Sequence, residues 1–550
     1  MKLGVLSNIN LDSLVRKFPD AFAVYSGEGF GTWIPELSRT DSGLFSFSPE
    51  VVFVVLDGEE LVRVAGEKQE VMAELEENFQ YITAAAREHP SIPFFVSTID
   101  IPPSRISFLR DERMEHAAEC HWRGLLEKAR VSFPNVIPFD LAQLVSHLGR
   151  ERFYSRKLWY LGGMKFSMTA ESLLLEEMER CCDALRGIRK KCLILDLDNT
   201  LWGGVVGEEG VHGIELSEFQ QGARFKDFQK RLKEIKQLGV LLAVVSKNNL
   251  GDALEVFRDH PHMVLREDDF TAMKVNWNRK AQNIRELAEE LNIGLDSFVF
   301  LDDNPVERGL VKQELPEVEV PAFPEDTAQL QEFIQGVYRK FFLKIDLTEE
   351  DTKKHLQYRQ NFQREQAKKT SASFEEFLLG LQTRLTIWEA REQDVRRVAQ
   401  LTQKTNQFNL TTKRYLESEI HEFVRAREYR VFVGSVTDRF GDSGIVGVMI
   451  LKAEPGGTDV FLDSFLMSCR VMGRFIEDSF LGFVEKRMAG EGFGVFHAQY
   501  LPTNKNKPVR SLLERLGFAL VSEDPEGRKK YLLELGKKPE RKSFCEVVEG

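Results

Sequence analysis

The stretch "KKCLILDLDNTLWGGVVGEEG", residues 190–210, runs an unbroken apolar segment, Leu193 to Leu195, into two aspartates one residue apart, Asp196 and Asp198. Continuous apolar strands belong to parallel sheets covered on both faces, and such sheets bind ligands outside the carboxyl ends of their strands. Two later runs end in the same way: "VLLAVVS" delivers Ser246, and "FVFL" delivers Asp302 and Asp303. A lysine, Lys280, opens the helical pattern "KAQNIRELAEELNIG" that leads to the second of these runs, with Lys274 as a rival for the same place. Taken singly, "DNT" and "DDNP" read as good turn chemistry. Their joint placement after three apolar strands predicts one sheet edge shared by four carboxylates, a hydroxyl and a lysine.

Carboxylates crowded this closely repel one another unless a cation lies between them. Mg2+ takes a few oxygen ligands plus water and substrate phosphate, so the set suits Mg2+ and a phosphoryl group. Between Thr200 and Ser246 the chain has room for the Gly-rich hairpin "WGGVVGEEGVHGIEL" and one helix, not for a separate cap domain. An uncapped site either admits a macromolecule or is covered by a neighbouring domain.

At 550 residues, and roughly 100–200 residues per domain, three or four domains are expected. A formal net charge of −12 argues against nucleic acid or an anionic membrane as the main partner, since both are bound through clustered Lys and Arg. The six cysteines, at 120, 181, 182, 192, 469 and 545, show neither metal-ligand spacing nor a disulfide framework, which fits a reducing cytoplasm. The amino terminus lacks a signal-peptide pattern, and no apolar run reaches the ~18 residues of a spanning helix.

Three blocks follow. In the first (1–165), "LGVLS", "VVFVVLD", "PFFVSTID" and "NVIPFD" alternate with helical patterns such as "EVMAELEENFQYITAAAREH", implying a doubly wound α/β sheet. The second (185–345) repeats that rhythm. A charged helical connector, roughly 345–375, leads to a third block (375–540), where strands cluster ahead of helices and an α+β fold is expected.

Asp196-Leu197-Asp198-Asn199-Thr200 resembles the first motif, DxDx[TV], of the haloacid dehalogenase superfamily. The resemblance implies a capless Rossmann-like phosphatase domain, with Asp196 as nucleophile and Asp198 as acid/base. It further implies Ser246 and Lys280 around the phosphoryl group, and Asp196, Asp198, Asp302 and Asp303 around Mg2+. More narrowly, "LDLDNTLWGGVVGEEG", "SKNN", "VFLDDNP", "TNQFNLTT" (405–412) and "FLMSCRVMGR" (465–474), with "KLWYLGGMKFS" (157–167), are similar to the FkbH-like proteins of polyketide pathways. That implies removal of phosphate from 1,3-bisphosphoglycerate and transfer of a D-glyceryl unit to the phosphopantetheine thiol of an acyl carrier protein.

The third block resembles the GNAT acyltransferase fold, with "CRVMGRFIEDSF" where a pantetheine pyrophosphate would be held; Arg474 and Phe475 after Gly473 depart from the usual glycine-rich pattern. Cys469 beside Arg470 is the candidate acyl-carrying nucleophile, since a thiolate accepts from an acyl phosphate, although most cysteines are buried and inert. Arg470, Gly473 and Arg474 are candidates for phosphate, and Asn406 and Asn409 for a pantetheine amide. His497 reads as structural. The first block resembles a degenerate SGNH-hydrolase-like domain, with Ser7 and Asn8 at the nucleophile loop but no Asp-x-x-His base, so docking or covering is expected of it. The competing readings are a plain Mg2+-dependent phosphatase whose third block is an interaction module, and an acyltransferase of amino-sugar assembly.

Overall fold

The computed structural model describes residues 1–27, 29, 31–62, 68–103, 114–347, 349–453, 456–468, 471–536 and 541–550. The chain forms two compact units, residues 1–190 with 334–347, and residues 191–333 with 348–550.

The first unit is built on five parallel strands: β1 (Lys2–Ser7), β2 (Ala23–Tyr25), β3 (Val51–Val55), β4 (Phe94–Ser97) and β5 (Val136–Phe139). Their order, β2-β1-β3-β4-β5, is the flavodoxin-like order. β3 is apolar at all five positions because both faces are covered. Val52 and Val54 meet α1 (Lys68–Glu88) and α2 (Met114–Ser132) through Leu75, Phe79 and Trp122, while Val51, Phe53 and Val55 pack with Leu174 and Met178 on the other side. The short strand Ala23–Tyr25 has too few residues to show a pattern in sequence. Ser7 is buried, its Oγ accepting from the Ile9 N–H at 3.2 Å, and Asn8 clasps the backbone of Asp57 at 2.8 and 2.9 Å. Lys165, from "KLWYLGGMKFS", lies buried in this unit against Asp57 at 2.6 Å.

The second unit holds two sheets. Strands β6 (Cys192–Leu195), β7 (Leu241–Ser246), β8 (Ala272–Val275) and β9 (Phe298–Leu301) are all parallel in the order β8-β7-β6-β9. Helices α3 (Gln221–Gln237), α4 (Leu250–Asp259), α5 (Lys280–Leu291) and α6 (Pro305–Glu314) connect or follow them. α5 packs Ile284, Leu287 and Leu291 on Ile194, Ala243 and Phe300. Among residues 200–240 the insertions are one short helix, Val206–Glu209, a bridge from Gly203 to Glu215, and α3, so no cap domain is present there.

α7 (Glu349–Thr370) leads to the mixed sheet of β10 (Thr383–Glu389), β11 (Tyr429–Asp438), β12 (Gly441–Ala453), β13 (Asp459–Met467), β14 (Val495–Tyr500), β15 (Ala519–Glu523), β16 (Lys529–Glu534) and β17 (Cys545–Glu549). The strand order is β15-β16-β14-β13-β12-β11-β10-β17, and α8 (Ile476–Gly490) packs Phe480, Leu481 and Val484 into its core. The third block is thus α+β. β13 and β14 pair in parallel only over Asp459–Leu462 and Val495–Ala498. Among the described residues no helix is long and apolar enough to cross a membrane.

Candidate active site

The three buried runs carry their polar residues to one edge. β6 ends at Leu195 and its backbone turns at Asp196, β7 ends in Ser246, and β9 passes into Asp302 and Asp303. β8 is followed by the turn that starts α5, whose first residue is Lys280. Lys280 Nζ lies 3.0 Å from Asp196 Oδ2 and 2.6 Å from Asp302 Oδ2, all three groups being buried. Burial alone would lower the Lys280 pKa, but the two carboxylates outweigh it and raise it. Burial and the charge of Asp196 push Asp302 up, and Asp303 likewise. Lys274 is committed elsewhere, 2.8 Å from Glu290 and 3.4 Å from Glu286.

Asp196, Asp302 and Asp303 each place a carboxylate oxygen within 4.8 Å of the others. One lysine facing three carboxylates leaves a net negative cluster, and Asp196 Oδ1 is buried with no hydrogen-bond partner. A buried unpaired carboxylate oxygen is costly, and a hard cation among three carboxylates would satisfy it. The donor set therefore fits Mg2+. Arg308 Nη1 fixes the loop beneath by donating to the carbonyls of Asp302 and Asp303 at 2.7 and 2.6 Å.

The Asp198 side chain, expected among the metal ligands, lies outside this three-residue cluster. The backbone turn directs it elsewhere: Asn199 adopts the left-handed conformation (φ 55°), accepting from the Gly204 N–H at 2.9 Å. Asp198 Oδ1 accepts from Trp202 Nε1 at 2.8 Å and from the Val206 N–H at 3.2 Å, and Oδ2 accepts from Asn248 Nδ2 at 2.9 Å. Burial, aided by the charge of Asp196, raises its pKa. Asn248 and Trp202 are the site residues that sequence reasoning missed. Both stand inside quoted motifs, "SKNN" and "NTLWGG", but nothing in their spacing says that they meet one carboxylate.

In the third block, Cys469 and Arg470 lie outside the described residues. Of the remaining candidates there, Asn409 and Arg474 are committed to partners within the protein. Asn409 is fully buried, its Oδ1 accepting from the Thr412 N–H at 2.9 Å and its Nδ2 donating to Thr405 O at 3.3 Å, so its amide closes a turn instead of facing a pantetheine. Asn406 accepts from Arg414 Nη2 at 2.7 Å. The backbone of the same segment bridges the strands beyond their parallel pairing: Leu410 N donates to Phe465 O (3.2 Å), Met467 N to Phe408 O (3.0 Å) and Leu501 N to Leu410 O (2.9 Å).

Arg474, expected to meet phosphate, is turned inward, 3.0 Å from Asp438, which also receives Arg364 at 2.7 Å from α7. Burial and the neighbouring Arg364 draw the Arg474 pKa down to about 10. The first turn of α8 carries Glu477 and Asp478, both held by Arg515 at 2.6 Å. A helix start already supplied with two carboxylates is a poor anion site. Gly473 is exposed with φ +76°, a conformation that favours glycine whether or not a ligand binds. His497 hydrogen-bonds Asp459 at 2.9 Å and stacks on Phe461.

No protein-family model matches this chain, and no curated protein matches it. Among solved structures, it is similar to the N-terminal part of the protein BF1531 from Bacteroides fragilis, described as containing a phosphatase domain and complexed with Mg. The likeness has 26% identity, a TM-score of 0.58, and covers 63% of this chain and 94% of that one. The four-stranded parallel domain has a haloacid-dehalogenase-type phosphatase fold. Further neighbours are the ribosomal-protein-S18-alanine N-acetyltransferase from Escherichia coli (14% identity, 29% of this chain, 99% of that one, TM-score 0.22) and a putative GNAT-family acetyltransferase from Desulfovibrio desulfuricans (17%, 28%, 99%, 0.23).

Proposed function

We propose that the phosphatase-fold domain removes phosphate from an organic phosphate in a Mg2+-dependent reaction with Asp196 as nucleophile. The observation that carries this is the Asp196 carboxylate, one oxygen held by Lys280 and the other buried without a partner, beside Asp302 and Asp303. Asp196, Asp302 and Asp303 would hold Mg2+, which when bound offsets the negative charge of the phosphoryl group and carboxylates. Asp196 attacks phosphorus, and the bond from phosphorus to the leaving oxygen breaks. Asp198, oriented by Asn248 and Trp202, gives its proton to that oxygen. A water then attacks the aspartyl-phosphate, Asp198 takes the water's proton, and phosphate leaves with Asp196 restored. Ser246 at the end of β7 would donate to a phosphoryl oxygen, and Lys280 holds one oxygen of Asp196.

The finer reading is that this chemistry belongs to glyceryl transfer from 1,3-bisphosphoglycerate to an acyl carrier protein, with the third block as the acyl-transfer module. It is supported by the ordered motifs shared with the FkbH-like proteins. In the transfer step a thiol sulfur, of Cys469 or of the carrier, bonds to the acyl carbon. The carbon–oxygen bond to phosphate breaks, phosphate departs and the thiol proton passes to solvent. The test is intact-mass measurement after incubation with Mg2+, 1,3-bisphosphoglycerate and a carrier protein. A glyceryl mass on enzyme or carrier supports transfer. Free phosphate without any acyl adduct favours the plain phosphatase and rejects transfer.

A further inference from the structure

The loops at the carboxyl edge of the phosphatase-fold sheet each present an exposed large apolar side chain just beyond their polar residues: Leu250 after "SKNN", Trp277 after β8 and Val306 after "DDNP". Trp277 is 70% exposed, the costliest of the three to leave in water. An isolated exposed hydrophobe needs no explanation, but this one is held in place. Its indole Nε1 donates to Asn249 Oδ1 at 3.0 Å, and Asn249 is itself oriented by donating to Asp252 at 3.1 Å.

The loop that carries it is hydrogen-bonded to its surroundings through Asn276. The Asn276 N–H donates to Ser246 O at 3.1 Å, and the side-chain amides of Asn276 and Asn283 bond reciprocally at 2.9 and 3.3 Å, with Asn283 fully buried. Trp277 therefore sits three residues before Lys280, beside the residue that follows Asn248, with its ring fixed and its face open. None of these bonds needs an indole: Asn249 is satisfied by any donor, and the loop is closed by Asn276 and Asn283. What the indole adds is flat apolar area at the mouth of an uncapped carboxylate site.

We propose that Trp277 is a specificity-determining substrate contact, stacking against a flat or apolar organic body that carries the phosphate while the phosphate itself reaches Asp196. This rests on the phosphoryl-site reading above.

The test is calorimetric titration of the full chain, with Mg2+, using phenylphosphonate and methylphosphonate, which share a head group and are not hydrolysed. The wild type is expected to bind phenylphosphonate about 2- to 12-fold more tightly, a gain of the size aromatic contacts give. Trp277→Ala should erase that preference, and Trp277→Phe should recover most of it. An equal preference in Trp277→Ala, or none in the wild type, overturns the proposal. Hydrolysis of p-nitrophenyl phosphate is measured in parallel on the wild type. Its absence alongside a Trp277-dependent binding preference would reject the phosphatase reading and leave the contact standing.

Discussion

Lys280 Nζ lies 3.0 Å from Asp196 Oδ2, while Asp196 Oδ1 is buried with no partner. One oxygen is thus anchored by a fixed cation from another element, and the other is free toward the neighbouring carboxylates. The contact with Lys280 fixes the orientation of this carboxylate.

Asp196→Asn should abolish phosphate release, by about 10³-fold or more, with the fold retained because the replacement is nearly isosteric. Asp303→Asn should instead raise the Mg2+ concentration needed for half-maximal activity. EDTA should remove activity from the wild type and added Mg2+ restore it. Steady-state phosphate release across a Mg2+ series checks all three, and activity surviving in Asp196→Asn would reject the nucleophile.

Asn248→Ala removes the donor to Asp198 Oδ2 and leaves that carboxylate held only through Oδ1. Misplacing an acid/base group by a fraction of an ångström costs catalysis more than binding, so kcat should fall about 10- to 100-fold with KM little changed. Asn248→Ser, which keeps a shorter donor, should recover part of the loss. Equal falls for both variants would show that Asn248 supports the fold and not Asp198.

Lys280→Met leaves Asp196 and Asp302 buried without their shared cation. Breaking a buried pair from one side costs roughly 3–5 kcal/mol. Urea unfolding should show this loss in EDTA and a smaller one in excess Mg2+, since ion binding to the native state offsets it. The same loss in both conditions would count against metal binding at these carboxylates.

Asp438→Asn should destabilise the third block severely, because Arg364 and Arg474 would remain buried around a neutral amide. Arg474→Met, of similar length, should be tolerated better in thermal unfolding. A severe loss of carrier loading in a stable Arg474→Met protein would return Arg474 to the binding site.

Asp269 carries an acid-sensitive contribution. Burial pushes its pKa up, but Lys236 Nζ at 2.7 Å and the Arg266 N–H at 2.8 Å outweigh this and hold it below the ordinary value. A depressed carboxyl stabilises fully above the unfolded value, about 3.9, and the contribution is lost as pH falls through the folded value. Between pH 7 and pH 3 the wild type should therefore lose more stability in urea than Asp269→Asn.

Apolar patterning in the sequence marks β6, β7 and β9 and the edge to which they deliver Asp196, Ser246, Asp302 and Asp303. Full burial on both faces demands unbroken apolar runs, and a run that ends in carboxylates marks the end of its strand. Local patterning also shows where α5 begins, hence Lys280. Tertiary structure alone decided what the side chains do there. Lys274 and Lys280 are equally basic in sequence, but Glu290 takes one and Asp196 the other. Asp198 reads in sequence as a fourth metal ligand, but its carboxylate is taken by Trp202, Val206 and, from fifty residues away, Asn248. Arg474 and Asn409 look like ligand contacts until Asp438 and the 405–412 turn claim them. Periodicity reports which residues are buried, because burial follows from one element's own geometry. The partner of a polar group depends on contacts distant in sequence, and these exist only once the chain has folded.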